Sequence, residues 1–320
     1  MCELCQNSSS IKVNAAYDPT RTTTLRNTFV KAMDKGFNKV IRAIHQKIVV
    51  EDFFELNTVQ TNISKKAYTF PRAAEKLNEF MEWLKKQTNS GILRIMEFEQ
   101  IGTAIEKAWT NLYIVDSYKR GVIRARYELL KIGYENVPSI TATGGIEMSM
   151  MLPIHVNKLG LLYTRVYSDL KGITAAMDLQ ISRILAQGIA EGDGPAFLSR
   201  KIISAINGSG MGDLGITDTL GRFIPAKRRA QTLARTEIIR AHHQAMIQEY
   251  KNWALEGVVV MAEFLTVNDD RVCAKCESLT LQNPYTLDEA FGLIPVHPNC
   301  RCICLPFEEG VDTLITRKAV

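Results

Sequence analysis

The sequence predicts a mainly α protein with a small α+β module at its C-terminal end. Three observations predict it. Apolar residues recur every three or four positions along most of the 320-residue chain, the period of helices that each bury one stripe. The strongly β-branched run, Val258 to Val267, lies in the last quarter. Five of the seven cysteines crowd between Cys273 and Cys304.

The elements follow in order. Residues 1–20 are polar and carry no period. Thr22, Thr23 and Thr24 can cap a helix that opens near Leu25, and Leu25, Phe29, Met33, Phe37, Ile41, Ile44 and Ile48 form its stripe. A second helix is predicted over Pro71–Lys86, with Ala74, Leu77, Phe80, Met81 and Leu84. A third runs from about Glu97 to Tyr134, through Ile101, Ile105, Trp109, Leu112, Val122 and Leu129. Its middle carries Lys119, Arg120, Arg124 and Arg126, read as a solvated face. Pro138, Ser139, Thr141, Thr143, Gly144 and Gly145 read as a loop, and a soft boundary falls here. The division is a helical N-terminal region over 1–150 and a second region over 151–320, with a metal module at about 257–307.

Helical patterning resumes near Val156 and passes Gly172 to Ile189. Glu191-Gly192-Asp193-Gly194-Pro195 breaks it, and Pro195 suits the first turn of a short helix that ends near Ile206. Asn207 to Ile224 is Gly-rich and reads as a long surface connection. A strong helix spans Pro225 to Ala254 and ends at Gly257. The β-branched run follows, then a turn at Asn268-Asp269-Asp270 and a short strand at Arg301–Leu305.

Composition bounds the class. The net charge of +5 permits an acidic partner without requiring one. No apolar run approaches the roughly 20 residues that span a bilayer. The first residues lack the basic-then-apolar pattern of a signal peptide, so the chain is expected to be made and kept in a cytosol. An odd, clustered cysteine count in a reducing compartment points to thiolate ligands and not to a disulfide framework.

The spacing is Cys273-x2-Cys276, twenty residues, then His297-x2-Cys300-x-Cys302. Zinc takes four tetrahedral ligands from thiolate sulfur and imidazole nitrogen. Each pair on a tight turn can supply two. Five candidates compete for four places: Cys273, Cys276, His297 and Cys300 are expected, with Cys302 as the main substitute. With no ligand position left for water, the zinc is expected to be structural and the module zinc-stabilised. The competing readings are a cluster of buried free thiols and a catalytic zinc, which would need an open position and a general base. Cys2-x2-Cys5 is half a site with no partner near it in sequence.

Other candidates are weaker. Arg235 and Glu237 lie two apart on one helix and do not pair with each other. They are expected to join a structural ion-pair network with Asp270 and Arg271. Arg222, Lys227, Arg228 and Arg229 oppose the dipole at a helix start and are candidate contacts for an anionic partner. His242 and His243 are adjacent, so their rings diverge and do not chelate one metal. Catalytic motifs are missing: there is no GxSxG, P-loop, HExxH or Gly-rich turn in a βαβ unit. The chain is therefore expected not to be an enzyme.

Three blocks together are specific: Ala234-Arg235-Thr236-Glu237 on a helix, Asn268-Asp269-Asp270-Arg271-Val272-Cys273-x-x-Cys276, and Pro295-Val296-His297-Pro298-Asn299-Cys300-Arg301-Cys302. They resemble the phage Mu F-like head morphogenesis family of tailed bacteriophages over about residues 155–307. Gly188-Ile189-Ala190-Glu191-Gly192 adds a weaker likeness. Leu279-Thr280-Leu281 departs from it where a glycine is common. The resemblance implies a minor head protein in the head and neck region of the virion. It would assist head assembly in the host cytoplasm, touch the portal protein or the major capsid protein, and stand near phage DNA during packaging or ejection. The alternatives from other classes are a zinc-containing nucleic-acid-binding protein unrelated to capsids and an enzyme that uses the Arg235/Glu237 region.

Overall fold

A computed structural model describes residues 18–56, 68–96, 107–208, 224–267 and 269–308. Its elements are α1 (Thr23–His45), which widens into a π turn over Gln46–Val50, α2 (Ala73–Gly91), α3 (Asn111–Lys131), α4 (Ile146–Met150), α5 (Pro153–Glu191), α6 (Pro195–Asn207), α7 (Ala226–Ala254), β1 (Met261–Leu265), α8 (Ala274–Thr280), α9 (Leu287–Leu293) and β2 (Ile303–Phe307). The protein is mainly helical, with its two strands near the C-terminal end. No helix among the described residues is long and apolar enough to cross a membrane.

The helix expected from Glu97 begins at Asn111. Ala108 pairs with Ile95 in an isolated bridge, and the Trp109 indole N–H donates to the Ile92 carbonyl at 2.9 Å, so Trp109 lies in a turn before the helix. Residues 97–106, Cys2, Cys5, Arg222, Asn268 and nearly all of the Gly-rich connection lie outside the described residues. The two strands are also shorter or later than expected. Val258 N–H closes the turn after α7 on the Trp253 carbonyl, and β2 opens only at Ile303, after the cysteine pair.

The chain forms two compact units that interleave along the sequence. One comprises Arg26–Ile114 and Lys158–Glu237. Its apolar stripe on α1 is the expected one: Phe29, Met33, Phe37 and Ile44 are buried, and Phe29 stacks on Tyr113 at 4.5 Å between ring centres. Gly36 lets α1 approach α2, because a Cβ there would lie 2.8 Å from the Gly91 carbonyl oxygen. On α5, Leu162, Val166, Leu170, Met177, Ile181 and Leu185 are buried at helical spacing. Gly188 admits Leu198 of α6, which would stand 2.6 Å from an added Cβ.

The other unit comprises the segments up to Leu25, Val115–Asn157 and from Ile238 onward. From Ile238 to Tyr250, α7 is buried nearly all round. An all-round buried helix is ordinarily apolar, yet this one carries His242, His243, Gln248 and Glu249. Gly121 of α3 sits against it: a Cβ would lie 2.4 Å from the His242 carbonyl oxygen.

The basic middle of α3 is not the solvated face expected of it. Lys119 pairs with Glu147, Arg120 with Asp116 and Arg124 with Glu128. Arg126 is buried, because it shares a helix face with Val122 and Leu129. Its Nε donates to Glu249 Oε1 at 2.5 Å, and its other nitrogens reach Thr143 at 2.8 Å and Ser149 at 3.2 Å. Trp253 Nε1 donates to the same Glu249 oxygen at 3.0 Å, and His155 Nε2 lies 3.3 Å from Glu249 Oε2. Burial opposes the charge on Glu249, but His155, Arg126 and Trp253 outweigh it and hold the carboxyl below its ordinary pKa. Removing one partner of a buried pair strands the other charge. Arg126→Met should therefore destabilise the protein by about 3–5 kcal/mol in urea unfolding. The double variant Arg126→Met/Glu249→Met should lose less than the single one, and equal losses would contradict a buried pair.

His243 Nε2–H donates to the Ala290 carbonyl at 2.8 Å and so ties α7 to α9. Burial pushes His243 down to about 4 and His242 down to about 3. The unfolded chain takes up these protons from about pH 6.5, while the folded protein resists them. Stability is thus complete above pH 6.5 and falls with pH towards 4, by up to about 1.4 kcal/mol per pH unit for each histidine. Asp178, raised to about 6 by burial, works in the opposite direction below pH 6. His243→Gln should flatten the loss of urea midpoint between pH 6.5 and pH 5 relative to the parent. Parallel curves would show that His243 is not a source of the loss.

Candidate metal centre

The site is assembled by the pairing of β1 with β2. The strands run antiparallel, from Met261 opposite Phe307 to Leu265 opposite Ile303. The chain leaving β1 and the chain entering β2 therefore meet at one end of the ladder. Just beyond that end, Arg301 grips Asp269 with two bonds, Nη1 to Oδ2 at 2.6 Å and Nη2 to Oδ1 at 2.7 Å. The Arg301 guanidinium holds the Asp269 carboxyl down at about 2.

The other edge of β1 is also occupied. Ala262 exchanges both backbone bonds with Tyr285, at 2.7 and 2.8 Å. The Asn283 side-chain amide bonds to both the N–H and the C=O of Phe264, at 2.7 and 2.9 Å. Because Ala262 faces Tyr285 with both groups, its partner Pro306 on β2 needs no N–H there. The segment between the two cysteine pairs is thus stitched back onto the strand.

Each pair sits on its own turn. Cys273 caps α8: its backbone is extended, and its Sγ accepts from the Cys276 N–H at 3.4 Å. Cys276 stands one turn in, on the same side. In the second pair, Cys300 N–H donates to the His297 carbonyl at 3.1 Å, closing a turn through Pro298 and Asn299. Asn299 takes the left-handed conformation, φ 62, that asparagine tolerates better than most residues. His297 Nδ1–H donates to the Pro298 carbonyl at 2.8 Å, which leaves Nε2 as the lone-pair nitrogen. That Nε2 lies 3.3 Å from Cys276 Sγ.

All five predicted donors come together. The ligand atoms of Cys273, Cys276 and His297 lie within 4.8 Å of one another, and so do those of Cys276, Cys300 and Cys302. A tetrahedral zinc–thiolate shell has sulfurs about 3.8 Å apart, and the two groups share Cys276. Soft sulfur and imidazole donors suit zinc and exclude calcium or magnesium, which need oxygen. Cys304 is fully buried opposite Phe264 and stands outside both groups.

The protons are unevenly held. Amide hydrogen bonds, first from Cys276, lower Cys273. Hydrogen bonding with Cys302 and the backbone amides of Cys302 and Val296 lower Cys300. Cys302 is correspondingly raised, and burial pushes Cys276 up to about 12. Four cysteine sulfurs beside an imidazole lone pair form a donor set that a cation completes by displacing protons.

At the other predicted positions, Glu237 is buried and takes Arg165 at 3.3 Å, while Arg235 is half-buried. Asp270 is exposed, and Arg271 reaches Asp269 at 3.6 Å. Lys227 bonds Asn38 Oδ1 at 3.0 Å, Arg228 is exposed, and Arg229 is partly buried. The clamp of Arg301 on Asp269 was not anticipated. The signal for it was the Cys-Arg-Cys alternation, which turns Arg301 away from the sulfurs.

Comparison with known proteins places the same segment. Residues 179–305 match the family described as Phage Mu protein F like protein, within the 155–307 span of the resemblance and including all five donors. No curated protein and no solved structure gives a significant match. The segment that carries the candidate metal centre, residues 179–305, is thus similar to the phage Mu protein F-like family.

Proposed function

We propose that this chain is a minor head protein of a tailed phage, acting in head assembly near the portal, with a structural zinc that fixes its C-terminal module. The match over residues 179–305 carries this reading. Its working site is the virion head and neck, after assembly in the host cytoplasm. Its partners are the portal protein or the major capsid protein, with phage DNA as a further contact, and it catalyses no reaction.

Zinc here would cross-link the two turns that β1, β2 and the Asp269–Arg301 clamp bring together, and such ions contribute on the order of 10 kcal/mol to folding in small modules. Cys273 and Cys276 would hold it from α8, and His297 and Cys300 from the Pro298–Asn299 turn. Cys300, which faces the amides of Cys302 and Val296, is the expected fourth ligand, with Cys302 as its substitute. The role of Asp269 and Arg301 is to hold the two arms in register. No position is left for a water nucleophile, which favours a staple over a reaction centre.

Freshly reduced protein should contain about one equivalent of zinc, and Cys276→Ser should lose it together with much of the thermal stability. Less than about half an equivalent, with an unchanged melting temperature in Cys276→Ser, would remove the zinc from this reading.

The assembly role has its own test. The purified chain should co-sediment with portal-containing proheads of its phage and fail to do so with proheads that lack the portal. Equal sedimentation with both would move the contact to the major capsid protein. Sedimentation with neither would overturn the head-assembly reading.

A further inference from the structure

The outward face of α1 carries a row of positive charge. Lys31, Lys35, Lys39 and Arg42 follow one another at intervals of four, four and three residues and are all exposed. At that spacing the four side chains leave the helix within one quadrant. Thr24, Asn27, Thr28 and Gln46 extend the same face with exposed, uncharged polar groups. Asp34, the single carboxylate of α1, points elsewhere. It accepts from Gln231 Nε2 at 2.7 Å and lies 3.8 Å from Lys227 Nζ. Among the described residues no carboxylate pairs with any of the four cations, and Arg42 donates only to the Asn38 carbonyl of its own helix. This sets the row apart from the basic middle of α3, where every cation has an acidic partner.

Like charges one helical turn apart repel, so the helix carries the row at a cost. Only Arg42 lies near enough to the C-terminus to gain from the helix dipole. The row runs over about 16 Å. One strand of B-DNA presents a phosphate every ~3.4 Å along the axis, so the row spans about five phosphates. A membrane surface fits less well. Lipid-binding helices pair their cations with an exposed apolar face, and the apolar face of α1 is already spent on Phe29, Met33, Phe37 and Ile44 in the core. A straight, single-sign row fits a linear polyanion better than a protein surface, where charges of both signs intersperse.

We infer that α1 is a contact surface for the phosphate backbone of double-stranded DNA, bound without regard to sequence. It lies outside the matched segment, in the half of the chain for which the family supplies no role. It depends on neither the zinc nor the portal reading, because it can be tested without metal, portal or prohead.

The test is binding of the full chain to a short fluorescein-labelled DNA duplex of arbitrary sequence across a salt titration. The parent should bind with log K falling linearly in log salt. Lys31→Gln/Lys35→Gln/Lys39→Gln/Arg42→Gln should reduce that slope by about 3–4 and weaken binding at ~50 mM salt by at least tenfold. A charge-matched control, Lys86→Gln/Lys171→Gln/Arg183→Gln/Arg200→Gln, removes four exposed cations from elsewhere in the same unit. It should keep most of the slope. Circular dichroism checks the fold, and Lys35→Gln alone, with a slope change of about one, replaces the fourfold variant should that variant misfold. Three outcomes would overturn the inference: no salt-dependent binding by the parent, equal losses in the control, or tighter binding to polyglutamate or anionic lipid vesicles than to DNA.

Discussion

The C-terminal module depends on β1 being used along both edges. A two-stranded ladder is marginal by itself. Here β2 takes one edge, and Tyr285 with the Asn283 side chain takes the other. The long segment between the cysteine pairs is thereby pinned at its midpoint, and its two ends are delivered to one end of the ladder. The sulfur and imidazole donors converge for this reason. The Asp269–Arg301 clamp holds the same end.

Buried charge organises the rest of that unit. Arg126, Glu249 and His155 come from α3, α7 and the start of α5, and each is shielded from water. Taking such groups out of water is costly unless every one is partnered, and Thr143, Ser149 and Trp253 complete the set around Arg126 and Glu249. An arrangement of this kind tolerates few alternatives: a shift of α7 by one residue would separate Glu249 from Arg126. The same logic makes His243 a fastener, since its bond to Ala290 ties α9, and with it the second arm of the candidate metal centre, to α7.

Legibility in the sequence varied with the range of the interaction. The five donors were readable because a turn sets their spacing locally, two by two. The apolar stripe of α1 was readable because helix period alone fixes it. Arg126 was not, because its charge suggested solvent and its partner Glu249 lies 123 positions away. Trp109 was misplaced into a helix because its ring is apolar at the right interval. The carbonyl of Ile92, which holds it outside the helix, left no mark in the pattern. The row on α1 was open to view in the spacing of Lys31, Lys35, Lys39 and Arg42, but a basic row on paper looks the same whether its charges are paired or not.

The sequence by itself therefore determined the helices, the strand-forming run and the two turns that carry the donors. Each of these rests on periodicity or on residues within a few positions of one another. Tertiary structure decided which charges are hidden and which stay exposed. It buried Arg126 against Glu249, engaged Asp34 with Gln231 and Lys227, and gave the face of α1 no counter-charge among the described residues. It also decided that two cysteine turns twenty residues apart share one place, because strand pairing, and not spacing, sets the distance between them.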